Sequence, residues 1–323
     1  QYTLTPQEPN IAGSVVNLNV ENVEILSYCC AGGLAGYNGG IISNCSVTGN
    51  VEAILIDAGG LLGCNVSEII ECNAKCSVKS EGVAGGLIAY NQGPVTACSF
   101  SGSVEAEVMN SRYSAGGLIG ANYDTVKSCH SNGAITAGYN TGGLIGYSTG
   151  TVIDCSASGN TTGTQNVGGL VGINKYRNPI MRSFSDCIVT GDYTVGGLVG
   201  YNGGDILNCY AKGHVNGIED TAGLVGRNYE NIMFCYSSCT VSSQEDIAGL
   251  VAYPRLGDIT SCFWDTDVSG LTDGVADSDP DPEGAVGLST AQMQTASTFL
   301  DAGWDFLDET ANSTEDIWWI LEG

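Results

Sequence analysis

Fourteen cysteines, two histidines and a large excess of acids are the residues of this 323-residue chain whose types could do chemistry. Eight cysteines recur at one position of a repeat: Cys45, Cys72, Cys98, Cys129, Cys155, Cys209, Cys235 and Cys262. Stacked in register, they would form a ladder of mostly free thiols, each acting as a small hydrophobe. Six others lie off that position: Cys29, Cys30, Cys64, Cys76, Cys187 and Cys239. These are the disulfide candidates that an oxidising compartment would bridge. A second group is the acidic stretch with Asp277, Asp279 and Asp281 at alternate positions. Alternating acids in a loop can converge on calcium, the one cofactor that the sequence suggests. The stretch is no EF-hand, because Pro282 and Leu288 stand where that loop needs Gly and Glu. Of four sequons, Asn65 belongs to the Asn column, whereas Asn44, Asn160 and Asn312 are expected to be open to glycosylation, the first two pointing outward.

Catalytic constellations are missing from the pattern. His130 and His214 are too far apart for a zinc-binding helix turn. The residues flanking the recurrent Cys are Asn44, Glu71, Ala97, Ser128, Asp154, Asn208 and Phe234, with no paired acids on consecutive repeats. No acid, base and nucleophile can be assigned together, so the expectation is a protein that is not an enzyme. A formal charge of -25 repels phosphate backbones and argues against nucleic acid. No run of 18 apolar residues exists, so insertion in a membrane is not expected.

The elements that would position these residues are set by a period near 26. Leucine recurs at Leu34, Leu61, Leu87, Leu118, Leu144, Leu170, Leu198, Leu224 and Leu250, each time after glycine. Asn follows four residues later in seven of these repeats, as in Asn38, Asn65 and Asn91. An aliphatic residue, then the Cys, then a β-branched residue complete the unit. Short β-type runs between Gly and Asn corners at this period predict a β-solenoid. Helical spacing is absent. Nine coils at the usual strand separation would extend roughly 40 Å. Leu and Ile/Val columns would fill the interior. Asn would occupy left-handed corners and bond to the next Asn as a ladder.

The run Gly196-Gly197-Leu198-Val199-Gly200-Tyr201-Asn202, continuing to Ile206 and Cys209, resembles the GLUG repeat. That resemblance implies an all-β fold, a parallel right-handed β-solenoid, in a secreted surface protein, adhesin or extracellular peptidase. Residues 1–30 are expected to cap the stack, 31–268 to form the repeats and 269–323 to form an acidic loop with an aromatic-rich C-terminal cap. Trp318 and Trp319 could offer a carbohydrate platform there, and residues 289–300 a short helix started by Ser289 or Thr290. The expected role is structural: an extracellular or cell-surface rod acting as adhesin or fibre subunit, self-associating or recognising glycans or another surface ligand. The alternatives are a polysaccharide-binding or polysaccharide-cleaving β-helix, and a stalk fragment of a larger adhesin or peptidase. The chain opens at Gln1 without a signal peptide, as a processed or partial product would.

Overall fold

The structure is a computed structural model that describes residues 13–107, 113–307 and 317–318. The chain winds through about ten stacked turns, laying one strand in each of four parallel sheets. Strands such as Asn73–Ser80 build an 11-stranded long face. Short strands such as Ala84–Gly85 build a nine-stranded glycine edge. Strands such as Ile88–Asn91 build a nine-stranded asparagine face, and pairs such as Val95–Thr96 a ten-stranded short face. Equivalent residues stack in register from coil to coil, so that Cys76 lies between Gly49 and Gly102. The stack begins with Ser14–Val16 and Asn19–Ser27, which pair with the next coil of the short and long faces.

Leu61, Leu87, Leu118, Leu144, Leu170, Leu198 and Leu224 are completely buried, and Ile/Val residues from three sheets close around them. The paired glycines let the wall pass close to its neighbours. A Cβ on Gly85 would collide with the carbonyl oxygen of Ile88, and one on Gly86 with that of Gly117 and the Phe100 ring.

The asparagine ladder is present. Nδ2 of Asn38, Asn65 and Asn91 donates to Oδ1 of the next Asn, at 2.8 Å in each case. Asn174 and Asn202 continue it at 3.0 and 2.8 Å. The left-handed corners, however, fall elsewhere. The ladder asparagines lie inside strands, and the residue before each recurrent Cys takes positive φ: Asn44 (49°), Glu71 (53°), Ala97 (55°), Asp154 (55°) and Phe234 (52°). Such a conformation is strained for a bulky residue and persists only where neighbours over-determine it.

The cysteine ladder supplies that determination. Cys98 Sγ donates to the carbonyl of Thr96 at 3.2 Å, spanning the left-handed Ala97. Cys129, Cys155 and Cys235 make the same bond at 3.1 Å. Each sulfur also accepts from the coil before it, as in Cys72 N to Cys98 Sγ at 3.3 Å. A small side chain that donates and accepts is needed at this corner. Ser183 meets both conditions, donating to Met181 O at 2.8 Å and accepting from Cys155 N at 3.0 Å.

At the C-terminal end the alternation of a strand divides the aromatics. In Cys262–Asp265, Trp264 turns inward and its ring lies against Gly249, Gly274 and Gly287, sealing the bore. Phe263 turns outward into a second cluster with Leu288, Phe299, Trp304 and Phe306. Helix α1 (Thr266–Ser269) starts on the Asp265 carboxylate. Ala285–Leu288 then adds a last parallel strand to the long face. The expected single helix is broken into α2 (Thr290–Met293), with Ser289 and Gln292 forming a capping box, and α3 (Ala296–Leu300).

Candidate functional site

Two outward surfaces concentrate aromatic side chains. On the asparagine face, the third residue after each repeat Leu points away from the core. Tyr37, Tyr90, Tyr147, Tyr201 and Tyr253 occupy that column, in register with Cys64, Ala121, Ile173 and Arg227. Tyr123, Tyr176 and Tyr229 flank it. Ring centroids are 4.8 Å apart for Tyr90 and Tyr123, 6.0 Å for Tyr123 and Tyr147, and 5.1 Å for Tyr201 and Tyr229. Cations lie over the rings: Lys175 is 5.7 Å from Tyr147, and Arg227 and Arg255 are 4.3 and 4.1 Å from Tyr253. Burial among neighbouring rings pushes the Tyr147 hydroxyl up to about 12, so it stays a neutral donor at physiological pH. Tyr37 and Tyr176 remain largely exposed.

The second surface is a groove of about 460 Å³ between the long face and the C-terminal cap. Its floor is the stacked pair Tyr210 and Tyr236, 4.9 Å apart with nearly parallel planes, and Phe184 extends the stack beyond the groove, 4.8 Å from Tyr210. Trp318 and Trp304 form a wall, 4.6 Å apart. Lys212 reaches over Tyr210 at 5.3 Å. Asp265 is the carboxylate among the lining residues, and it is already engaged by Asp267 N, Val268 N and the Thr290 hydroxyl. Ring faces with a few polar groups suit a sugar or another amphipathic ring. A two-carboxylate hydrolytic pair is not part of this lining.

Of the residues expected to bind calcium, Asp277, Asp279 and Asp281 do not converge. Asp281 accepts from the backbone N–H of Gly274 and Val275, both at 2.8 Å, and so caps its own loop. Asp277 turns instead towards Asp246, whose carboxyl is held above its ordinary range by desolvation and by Asp277, Asp220 and Glu245. Glu219, Asp220 and Asp246 have carboxylate oxygens within 4.8 Å of one another, with Arg227 bonded to Asp220 at 2.7 Å.

The six off-column cysteines are all free thiols. Cys76, Cys187 and Cys239 point inward at positions that alternate with glycine, so two coil rises separate Cys187 from Cys239. That separation of roughly 10 Å is beyond disulfide reach. Cys30 and Cys64 do meet, with sulfurs 3.7 Å apart, and Cys29 beside them is exposed. Asn44 and Asn160 are exposed, and Asn44 donates to Asn17. Asn312 and Trp319 lie outside the described residues.

The tyrosine column could have been found by aligning the repeats residue by residue. It falls at a variable position of the motif and so carries no consensus signal.

These columns define a parallel β-solenoid with a laddered interior and a chemically varied exterior. The chain carries GLUG repeats: the family model for the GLUG motif matches residues 27–52, 137–162 and 191–216. No curated protein matches the chain, and no solved structure does.

Proposed function

We propose that this protein is an extracellular, non-enzymatic rod of the adhesin type that holds surface polysaccharide along its tyrosine-lined face. The observation that carries the reading is the tyrosine column with Lys175, Arg227 and Arg255 over its rings, on a chain of net charge -25. Rings at every second coil, with flanking tyrosines between some of them, give a linear ligand repeated contacts at low entropic cost, because the β-scaffold has already fixed their spacing. Phenol hydroxyls and the three cations supply polar selection. The cap groove, with its stacked floor and tryptophan wall, offers a second contact of the same chemistry.

The test is binding to a panel of neutral and acidic polysaccharides by affinity electrophoresis, with reducing-sugar release measured in parallel. Retardation by at least one polysaccharide, lost in a Tyr90→Ala, Tyr147→Ala, Tyr201→Ala variant without sugar release, is the expected result. Sugar release by the wild type, or retardation indifferent to the substitutions, overturns it.

A fibre subunit is the second reading. It is favoured by the first long-face strand, Asn19–Ser27, whose inward Val20, Val23 and Ile25 are only partly buried, whereas Val51, the residue in register with Ile25, is fully buried; at the other end Trp264 lies across the bore. Open strand edges of this kind template further chains. Filaments by electron microscopy would support it, and a monodisperse monomer at high concentration would count against it.

A further inference from the structure

We propose that Cys30, Asp57 and Cys64 form a binding site for one thiophilic divalent cation such as zinc or cadmium. Cys30 comes from one coil and Asp57 and Cys64 from the next, and their ligand atoms lie within 4.8 Å of one another. Cys30 Sγ and Cys64 Sγ are 3.7 Å apart, and Cys64 Sγ is 3.9 Å from Asp57 Oδ2. A tetrahedral ion with bonds of about 2.3 Å to sulfur holds two sulfurs about 3.8 Å apart, so the pair already has the spacing of two metal ligands. Water would complete the coordination.

The chain contains its own comparison. Asp57 and Cys64 stand four residues before and three after Leu61; Asp220 and Arg227 stand at the same places around Leu224. There the guanidinium neutralises the carboxylate at 2.7 Å. In the Asp57 coil a thiol takes the place of the guanidinium beside a partly buried carboxylate. A positive charge is what this coil lacks relative to its equivalent. The thiols differ from the ladder cysteines as well. Ladder S–H groups donate to backbone carbonyls, whereas Cys64 points at Cys30 and Asp57. Thiols bind a cation as thiolates, so binding must displace their protons and affinity should rise with pH.

The experiment uses the full chain, reduced with a phosphine, stripped with chelator and titrated with cadmium chloride. The expected result is one equivalent bound, with thiolate-to-cadmium charge-transfer absorption and about two protons released per ion near neutral pH. Affinity should fall by more than about 100-fold in Cys64→Ser and in Cys30→Ser, beyond what loss of a merely supporting group produces. Cys235→Ala, a ladder change, should bind as the wild type does. A second variant, Cys64→Arg, recreates the Asp220–Arg227 pair. It should fold with the wild-type circular dichroism spectrum and show no rise in Tm with cadmium, whereas the wild-type Tm rises. Absence of the charge-transfer band, binding unchanged in Cys64→Ser, or a mass deficit of two hydrogens in the unreduced wild type that Cys30→Ser abolishes, would overturn the proposal; the last would make the pair a disulfide.

Discussion

Ser148 interrupts the asparagine ladder, and replacing it with Asn should stabilise the protein. Asn122 Nδ2 reaches the Ser148 hydroxyl only at 3.2 Å, against the 2.8 Å it would find at an Asn acceptor. The hydroxyl then turns to Gly150 O at 3.1 Å. On the other side, Asn174 Oδ1 is fully buried and meets no donor. Every other described step of the ladder feeds that oxygen from the Asn of the coil before. Backbone register at the site is that of its neighbours, with Ser148 opposite Asn122 and Asn174. Ser148→Asn therefore needs no new fold. Its Nδ2 would reach both Gly150 O and Asn174 Oδ1, as Asn91 Nδ2 reaches Gly93 O and Asn122 Oδ1.

A buried acceptor without a partner costs about 1–3 kcal/mol, and a net amide hydrogen bond contributes about 1 kcal/mol. Fixing a longer side chain removes part of that gain. The net is a stabilisation of about 1–2 kcal/mol, or a Tm rise of roughly 2–4 °C for a chain of this size. Calorimetry of wild type, Ser148→Asn and Ser148→Ala measures it. The alanine variant should fall below wild type, because it removes the acceptor of Gly150 N and one of the two acceptors of Asn122 Nδ2, leaving that amide only Asp124 O. A Tm for Ser148→Asn at or below that of wild type would refute the reasoning, since it would mean that ladder continuity contributes nothing.

Two further outcomes follow from buried groups. Desolvation pushes the Cys187 thiol up to about 11 and the Cys239 thiol up to about 12. A raised pKa favours the protonated folded state, so this stability is complete below about pH 8.5 and is lost as pH rises towards 11–12, by about 3 kcal/mol for Cys187. Urea midpoints measured from pH 7 to 11 should fall at the alkaline end, and Cys187→Ala should flatten that fall; a flat profile for the wild type would contradict it. In the Asp220–Arg227 pair, Asp220 is 3% exposed. Arg227→Ala should destabilise by about 2–4 kcal/mol, and adding Asp220→Asn should recover most of the loss, because the penalty is that of an uncompensated buried charge. Equal losses in the single and double variants would count against it.

What the sequence made legible is whatever repeats once per coil. The Leu, Ile/Val and Cys columns and the asparagine ladder each answer a local demand that recurs, so periodicity exposes them. The left-handed corner was harder to see. Its residues, from Asn44 to Phe234, share a conformation and no side-chain chemistry, because the neighbouring thiol and the coil geometry impose the conformation. Contacts that skip the period were invisible: Trp318 lies 110 residues from Asn208, to which its indole donates. Likewise, Cys30 and Cys64 are 34 residues apart, one coil plus the width of a face. Alternating acids at Asp277, Asp279 and Asp281 suggested a cation, but Asp281 is consumed by the backbone of its own loop.

The division between inward and outward columns also bears on function. Inward positions accept only what the stack allows. Cys76 and Cys187 each adjoin glycines because a Cβ at Gly102 or Gly213 would collide with the carbonyl oxygen of the cysteine before it. Outward positions on the asparagine face are under no such constraint. Cys64, Ala121, Ile173 and Arg227 occupy the tyrosine column without shifting the pairing of any strand there. Packing therefore does not require Tyr at 37, 90, 147, 201 and 253. An aromatic ring that recurs where the fold tolerates alanine or arginine, and that at Tyr147 and Tyr253 has a cation over its face, supports the proposed contact with a ligand outside the chain.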